Sequence, residues 1–343
     1  MLQERALGAT PLRVTTLGLG GAALGNLYAP VSESEAAAAV RAALAAGVRY
    51  FDVAPLYGYG LSERRVGAAL REVPRTEFLL STKVGRRLVP EDPANWEAGQ
   101  FPESLPNRVV FDYSYDGALR SIDESLERLR LDRIDIALIH DIDTWTHGSA
   151  AAAGERLVQA MAGAYPALCR LKAEGVIAAI GLGVNEWQAC ERFAQVADVD
   201  CFLLAGRYTL LEQTALETFL PLCARRKISV IVGGPYNTGI LASGAVAGAH
   251  YNYEPAPPEI LARVAAIEHA CRRHGVPLAA AALQFPLGHP SVASVIPGAR
   301  SAAEVHRNVE LMSTDIPAAL WEELLASGLL SPDAPVPAGG AAS

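Results

Sequence analysis

Four side chains able to move protons occupy matching places in a repeating pattern. Lys83 lies at the mouth of Phe78-Leu79-Leu80-Ser81-Thr82-Lys83-Val84-Gly85, a run that reads as a buried strand. Val48-Arg49-Tyr50-Phe51-Asp52-Val53-Ala54 carries an acid at the same place, and Ile134-Asp135-Ile136-Ala137-Leu138-Ile139-His140 ends in a histidine. Tyr57 follows Asp52 by five residues, on the segment leaving that strand. The chain has only three lysines, and Lys172 and Lys227 fall in polar, helix-like stretches where a solvated charge needs no explanation. A long cation at the end of an apolar strand needs a partner. A free tyrosine, with a pKa near ~10, is a poor acid or base at neutral pH. A neighbouring ammonium favours its phenolate, and Asp52 would hold that ammonium in place. Lowering the phenol by about 3 units requires roughly 4 kcal/mol of differential interaction. His140 could then hydrogen-bond a substrate oxygen and orient it. The plain alternative is an Asp–Lys ion pair beside two incidental polar residues, but four such groups at successive strand ends argue against it.

The elements that would position these groups alternate regularly. Buried strands are expected at 16–20, 48–53, 78–83, 134–139, 177–184, 201–205, 228–232 and 294–296. Helices are expected before Gly47 and near 62–71, 115–130, 156–174, 186–196, 215–226 and 301–311, the first capped by Ser32 with Glu35 three residues on. Short hydrophobic strands alternating with amphipathic helices imply a parallel sheet covered by helices. About eight such units fit an α/β fold of the closed (β/α)8 TIM-barrel type. Two short runs around a Gly/Pro turn in residues 5–14 predict an N-terminal β-hairpin. The long inserts 86–113 and 234–257 leave strand C-termini, the face where barrel sites form. No domain boundary is visible, so residues 1–343 read as one barrel domain, with a loosely ordered tail over about 331–343.

Composition narrows the function classes. Apolar residues make up 51% of the chain, enough for a large core, and no run approaches the roughly 20 apolar residues of a membrane helix. The start shows no apolar signal segment, so a soluble, cytoplasmic protein is expected. A net charge of −8 with interspersed arginines argues against a nucleic-acid surface. Five cysteines without C-x-x-C or zinc spacing read as reduced core residues, and no metal site is expected.

Phe51-Asp52-Val53-Ala54-Pro55-Leu56-Tyr57-Gly58 with Ser62-Glu63, then Ser81-Thr82-Lys83-Val84-Gly85, Ile139-His140 and Ile296-Pro297-Gly298-Ala299-Arg300, resembles the aldo-keto reductases in the same order, from about residue 5 to 312. The resemblance implies a barrel that binds a nicotinamide cofactor without a Rossmann fold, with Asp52, Tyr57, Lys83 and His140 as a catalytic tetrad. It also reinterprets Gly18-Leu19-Gly20-Gly21-Ala22-Ala23, which satisfies a G-x-G-x-x-A dinucleotide pattern although no helix opens there. Gly21 and Ala22 become clearance beneath the nicotinamide.

Carried over residue by residue, the resemblance implies a cofactor site from Asp52, Asn185, Gly233, Pro235, Asn237, Gly239, Gly298, Arg300, Glu304 and Asn308. Asn185 takes the carboxamide position, preceded by Val184 instead of serine. Ala205 replaces a glutamine near the ring, and Gly233 replaces the stacking tyrosine. The loop 234–241 resembles one that runs over the pyrophosphate, where Asn237 and backbone amides could meet phosphate oxygens. Asn308 takes an adenine-contact position. NADPH-preferring relatives carry cations where this chain has Gly298 and Glu304. A glutamate repels a phosphate dianion and accepts from a ribose 2′-hydroxyl. NAD is therefore expected, with NADP as the alternative through Arg300.

At the substrate end, Asp112-Tyr113-Ser114-Tyr115-Asp116-Gly117, His140-Asp141-Ile142-Asp143 and His147-Gly148 are similar to the NAD-linked sugar dehydrogenase branch, with pyridoxal 4-dehydrogenases as close relatives. The expected reaction is oxidation of the C1 hemiacetal of an aldose, of L-fucose or D-arabinose type, to its lactone. Tyr57 and His140 would meet the substrate, and Trp145 would offer an apolar wall for a sugar face. Alternatives are an NADPH-dependent aldehyde or ketone reductase, a Schiff-base aldolase or isomerase using Lys83, and a cofactor-sensing binding subunit. The expected partner is a small sugar or aldehyde, with no nucleic acid or membrane, in a monomer or small homo-oligomer.

Overall fold

The computed structural model describes residues 2–338. Eight parallel strands form one sheet in chain order: β1 Leu19–Gly20, β2 Tyr50–Asp52, β3 Leu79–Val84, β4 Ile136–His140, β5 Ala179–Val184, β6 Cys201–Ala205, β7 Ser229–Gly233 and β8 Val292–Ile296. The sheet closes on itself through parallel bridges from Leu17 to Val295 and from Gly20 to Gly298, so the expected (β/α)8 barrel is what the chain builds. Helices cover the outside, beginning with Glu33–Ala45 behind the Ser32/Glu35 capping box that the sequence suggests.

The inward-facing residues make a core of their own. Tyr50, Ile136, Leu138, Ala179, Cys201, Leu203, Ile231 and Ile296 fill the barrel interior. The N-terminal hairpin, Glu4–Ala6 paired antiparallel with Arg13–Thr15, closes the bottom by inserting Leu7 and Val14 into that interior core. Burying each of these side chains fully stabilises the closure by about 1.5–3 kcal/mol. Arg5 ties the hairpin to the barrel through the carbonyls of Val292 (2.7 Å) and Leu287 (2.9 Å). With the N-terminal mouth plugged, only the C-terminal mouth is left for a site.

Several elements differ from the sequence expectation for identifiable reasons. The helix expected over 156–174 is two, Ala150–Ala162 and Ala164–Ala173, broken at Gly163. A Cβ there would meet the Tyr113 carbonyl oxygen at 2.4 Å, so the chain must turn where it touches that segment. The 86–113 insert is a hairpin, with Arg86–Pro90 paired to Asn107–Phe111. The 234–257 insert folds into a short helix, Ile240–Ser243, and a two-residue ladder between His250–Tyr251 and Glu254–Pro255. Helices Pro258–Arg273 and Leu278–Gln284 before β8, and Ala318–Ala326 after it, lie in stretches where no helix was assigned from sequence. The tail also departs from expectation: Ser331 donates its backbone N–H to Gln213 (2.6 Å), and Ala334 is buried. Residues 331–338 therefore pack onto the barrel, and 339–343 lie outside the described residues. No helix among the described residues is long and apolar enough to cross a membrane.

Candidate active site

Barrel register brings Asp52, Tyr57, Lys83 and His140 together at the C-terminal mouth. Asp52 ends β2 and pairs across to Ser81, Lys83 is fifth in β3 opposite Leu138, and His140 ends β4 opposite Gly183. Side chains alternate along a strand, so Ser81 and Lys83 share the inward face. Tyr57 sits on the turn after β2, which passes through positive φ at Gly58 and Tyr59 before the helix Leu61–Leu70. All four line one cavity of about 640 Å³.

The lysine is buried and held from two sides. Its Nζ donates to Asp52 Oδ2 at 2.7 Å and to the Val53 carbonyl at 3.0 Å. The other carboxylate oxygen of Asp52 accepts from Ser81 Oγ at 2.6 Å, and Ser81 in turn meets the Tyr50 hydroxyl at 2.9 Å. Gly183 on β5 makes room for the stem, since a Cβ there would stand 3.0 Å from Lys83 Cε. The ammonium lies 4.7 Å from the centre of the Tyr57 ring, and Tyr57 meets the His140 ring edge to face at 6.1 Å.

Electrostatics correct one expectation. Burial alone would pull Lys83 down, but the Asp52 carboxylate and Tyr57 outweigh it and hold the ammonium above its ordinary value. Burial also dominates at Tyr57 and pushes the phenol up to about 12, with Lys83 opposing but not reversing the shift. Tyr57 is thus a protonated phenol at neutral pH, not the acidified group expected from its neighbour. Desolvation, with Arg86 and Lys83 adding to it, drives His140 well below its usual range, so the imidazole is neutral.

Two charged groups at the site carried no assigned role in the sequence reading. Arg86 leaves β3 into the hairpin and pairs with Asp141 Oδ2 at 2.7 Å, and both line the cavity. That carboxylate oxygen is 3.2 Å from His140 Nε2. Burial raises Asp141 to about 6 against the pull of Arg86. The signal for Asp141 was its place directly after His140; Arg86 lies two residues beyond Val84, which pairs with Ile139, so the β3–β4 register brings it beside Asp141. Asp143, fully buried, caps Thr144–His147 through the Thr146 N–H (3.0 Å) and accepts the Asn185 N–H at 2.6 Å. Trp145 stands half exposed at the rim, 6.1 Å from the Tyr253 ring and beneath the Arg207 guanidinium.

Of the expected cofactor residues, Gly21, Ala22, Asp52, Asn185, Gly233, Asn237 and Gly298 line the cavity; Pro235, Gly239, Arg300, Glu304 and Asn308 do not. The Asn237 side chain accepts from Thr209 Oγ1 and donates one N–H to the Gly206 carbonyl at 2.9 Å, stapling its own loop. Asn308 accepts from the Tyr236 hydroxyl at 2.8 Å. Asn185 is held more loosely, through contacts of 3.3 Å to Asp141 and 3.4 Å to Tyr253. Glu304 accepts the Arg300 backbone N–H at 2.8 Å at the start of the helix Ala302–Met312.

This half of the cavity is walled largely by glycines: 20, 21, 206, 233, 234 and 298. At Gly234 a Cβ would meet only one backbone nitrogen, at 3.7 Å, so its absence widens the cavity itself. At Gly21 a Cβ would strike the Asp52 carbonyl oxygen at 2.7 Å. Such a flat, backbone-lined wall suits a planar ring and its attached sugar and phosphates, with Asn185 available to an amide. The decoy glycines 18–20 lead into a short turn, Ala23–Gly25, with no phosphate-cradling helix behind it.

Known proteins place this architecture. The sequence matches the profile of the Aldo/keto reductase family over residues 16–327. It is 44% identical to pyridoxal 4-dehydrogenase of Microbacterium luteolum, over 96% of this chain and 98% of that protein. It is 42% identical to D-threo-aldose 1-dehydrogenase of a Pseudomonas species, over 95% and 98%. A solved aldo-keto reductase from Bacillus halodurans, in its holo form, superposes with a TM-score of 0.73 at 26% identity, covering 96% of this chain and 97% of that one. Enzymes of this kind are oxidoreductases that use a nicotinamide cofactor, which agrees with the glycine-walled half of the cavity. A match along nearly the whole barrel, with Asp52, Tyr57, Lys83 and His140 gathered at its open mouth, means that this chain belongs to the aldo/keto reductase family.

Proposed function

We propose that this protein is an NAD-dependent dehydrogenase that oxidises the C1 hemiacetal of an aldose to its lactone, with Tyr57 as the proton-transferring group. The observation that carries the reading is the buried Lys83, fixed by Asp52 and the Val53 carbonyl against the Tyr57 ring, in one cavity with a neutral imidazole. A nicotinamide held at the glycine wall would supply the acceptor for the C1 hydride. The protein supplies the rest. The Tyr57 oxygen takes the proton of the C1 hydroxyl as the C–O bond gains double-bond character. Lys83 stabilises the phenolate that this step needs, and Asp52 keeps Lys83 charged and in place. His140, being neutral, can donate to the reacting oxygen and align it without adding charge. Asn185 and the glycine wall hold the cofactor, and Trp145 with Tyr253 forms an apolar edge for a sugar face.

The aldose assignment is supported by the 42% identity to an aldose 1-dehydrogenase and by the charged pair Arg86–Asp141 within the cavity, which suits a hydroxyl-rich substrate. NAD is supported by the carboxylate of Glu304 near the expected 2′ position and by the absence of a lysine there. A Schiff-base role for Lys83 fits poorly, because the amine stays protonated and two of its donors are already used. Pyridoxal is the second reading, favoured by the 44% identity and by aromatic lining from Tyr28, Phe101 and Phe111.

The test is reduced-nicotinamide absorbance over a panel of aldoses and pyridoxal, each with NAD and with NADP. Turnover of an L-fucose-type aldose with NAD is the expected result. Turnover of pyridoxal alone shifts the substrate to the second reading, and none with any pair overturns the dehydrogenase.

A further inference from the structure

Asp141 is a buried acid that the proton-transfer scheme leaves unused, yet the fold goes to some trouble to place it. It holds a left-handed backbone, φ 48°, uncommon for a non-glycine residue although aspartate adopts it more readily than most. The Tyr113 hydroxyl locks that turn by donating to the carbonyls of His140 and Asp141, both at 2.8 Å. The carboxylate then faces the cavity, with Arg86 on Oδ2 at 2.7 Å and Asn185 Nδ2 on Oδ1 at 3.3 Å. A carboxylate offers about four acceptor positions, so these contacts leave room for another donor. Oδ2 lies 3.2 Å from His140 Nε2, and the two groups stand side by side over the same space. A substrate oxygen held by His140 would therefore bring the oxygen of a neighbouring carbon within reach of Asp141.

We propose that Asp141, held by Arg86, reads the hydroxyl on the carbon next to the reacting one, which makes this a site for substrates with vicinal oxygens and not for 2-deoxy compounds. The assignment rests on the aldose reading above. With His140 on the C1 oxygen, Asp141 accepts the hydrogen bond of the 2-hydroxyl. Arg86 is a positioning residue: it keeps the carboxylate charged and aimed, with its guanidinium 5.1 Å over the Phe111 ring. A site built around a substrate hydroxyl discriminates strongly against the analogue lacking it, because its buried acceptor is then left without a donor. A purely structural ion pair predicts no such discrimination.

The experiment compares kcat/KM for L-fucose and its 2-deoxy analogue with NAD, in the wild-type protein and in Asp141→Ala. The wild type should favour L-fucose by roughly 10–100-fold, the range of a charge-assisted hydrogen bond. Intrinsic reactivity runs the other way, since the electron-withdrawing 2-hydroxyl hinders hydride departure, so slower 2-deoxy oxidation has to come from the site. In Asp141→Ala the ratio should fall to about one, chiefly through loss of L-fucose turnover. If that variant does not fold, Asp141→Asn, which keeps the volume and removes the charge, takes its place. A wild-type ratio near one overturns the assignment and leaves the dehydrogenase standing, as does a large ratio that survives in Asp141→Ala. No turnover of either sugar removes both readings together.

Discussion

On the side of the cavity walled by β2–β4, the candidate chemistry sits on side chains: Asp52, Lys83, His140 and Asp141 are buried, Tyr57 and Arg86 partly so, and ion pairs tie Lys83 to Asp52 and Arg86 to Asp141. On the side running from β6 through β8 to β1, the wall is built from missing side chains, at Gly206, Gly233, Gly234, Gly298, Gly20 and Gly21. The first side places charges out of water, which is tolerable only when each is paired. The second clears space and offers backbone. The two halves should therefore fail in opposite ways. Removing atoms damages the charged half, and adding atoms damages the bare half.

The largest effect belongs to the charged half. Tyr57→Phe removes the group that exchanges the proton and should lower kcat by about 10²–10⁴-fold while cofactor binding, read by fluorescence titration, stays near wild type. Full activity would end the proton-transfer role. The wild-type pH profile sharpens the point. Tyr57 has a folded pKa raised to about 12, so the phenolate is the minor form across the working range and grows with pH. Oxidation should then speed up as pH rises, by up to about tenfold per unit while the phenolate remains scarce, and reduction should not. His140, held well below its usual range, stays neutral throughout and adds no step near pH 6–7. Lys83→Met removes the group that opposes the upward shift, so its oxidation limb should move to higher pH. A profile that is flat between pH 7 and 10 would contradict this account.

The contrast also explains what could be read from sequence. Asp52, Lys83 and His140 were legible because a strand end fixes a side chain's direction with little help from elsewhere, and the β–α alternation located the strand ends. The direction of the Tyr57 shift was not, because it turns on how completely the turn 53–60 is covered, a property of the whole mouth. Arg86 was hidden because an arginine just past a strand end carries no signal of its own; it is the β3–β4 register, Val84 opposite Ile139, that brings it beside Asp141. Asn237 reads from sequence as a phosphate contact in the loop 234–241, and the structure gives it an inward task. Its φ of 44° and its bonds to Thr209 and Gly206 show a residue that shapes the loop from inside. Gly163 reads as one more residue in an alanine-rich helix until the Tyr113 carbonyl is seen beside it.

Gly21→Ala tests the bare half with an intermediate effect. Its Cβ would meet the Asp52 carbonyl and Ser62 Oγ, both at 2.7 Å, and neither is the free end of a flexible side chain: Ser62 Oγ already donates to the Gly21 carbonyl at 2.7 Å. Relief requires a shift of the turn that also carries the β1–β2 contact, so thermal unfolding should show a loss of about 1–3 kcal/mol. Gly233→Ala is the control, because its Cβ would meet only the Leu203 methyl at 3.2 Å, which can rotate away. It should unfold like wild type and show its effect, if any, in cofactor Kd. Equal destabilisation by both substitutions would mean that the wall is glycine-built for folding and not for clearance.

Glu304 should give the smallest change, since it is half exposed and its field is screened by salt. Its carboxylate takes the Arg300 N–H at 2.8 Å and lies 3.8 Å from the Arg300 guanidinium, so it both satisfies a helix start and neutralises the cation that a 2′-phosphate would use. Glu304→Gln keeps an acceptor for the N–H and removes the charge, whereas Glu304→Arg adds a second cation. The ratio of kcat/KM with NADP to that with NAD should rise stepwise through the two variants, by about tenfold in total for a charge reversal at this exposure, and the gain should shrink at high salt. Loss of the acceptor in the arginine variant should cost about 1 kcal/mol in stability at most. A ratio that moves only in Glu304→Arg would locate the effect in new attraction; one that moves fully in Glu304→Gln would locate it in release of Arg300, making the existing arginine, and not the glutamate, the residue that decides between the two cofactors.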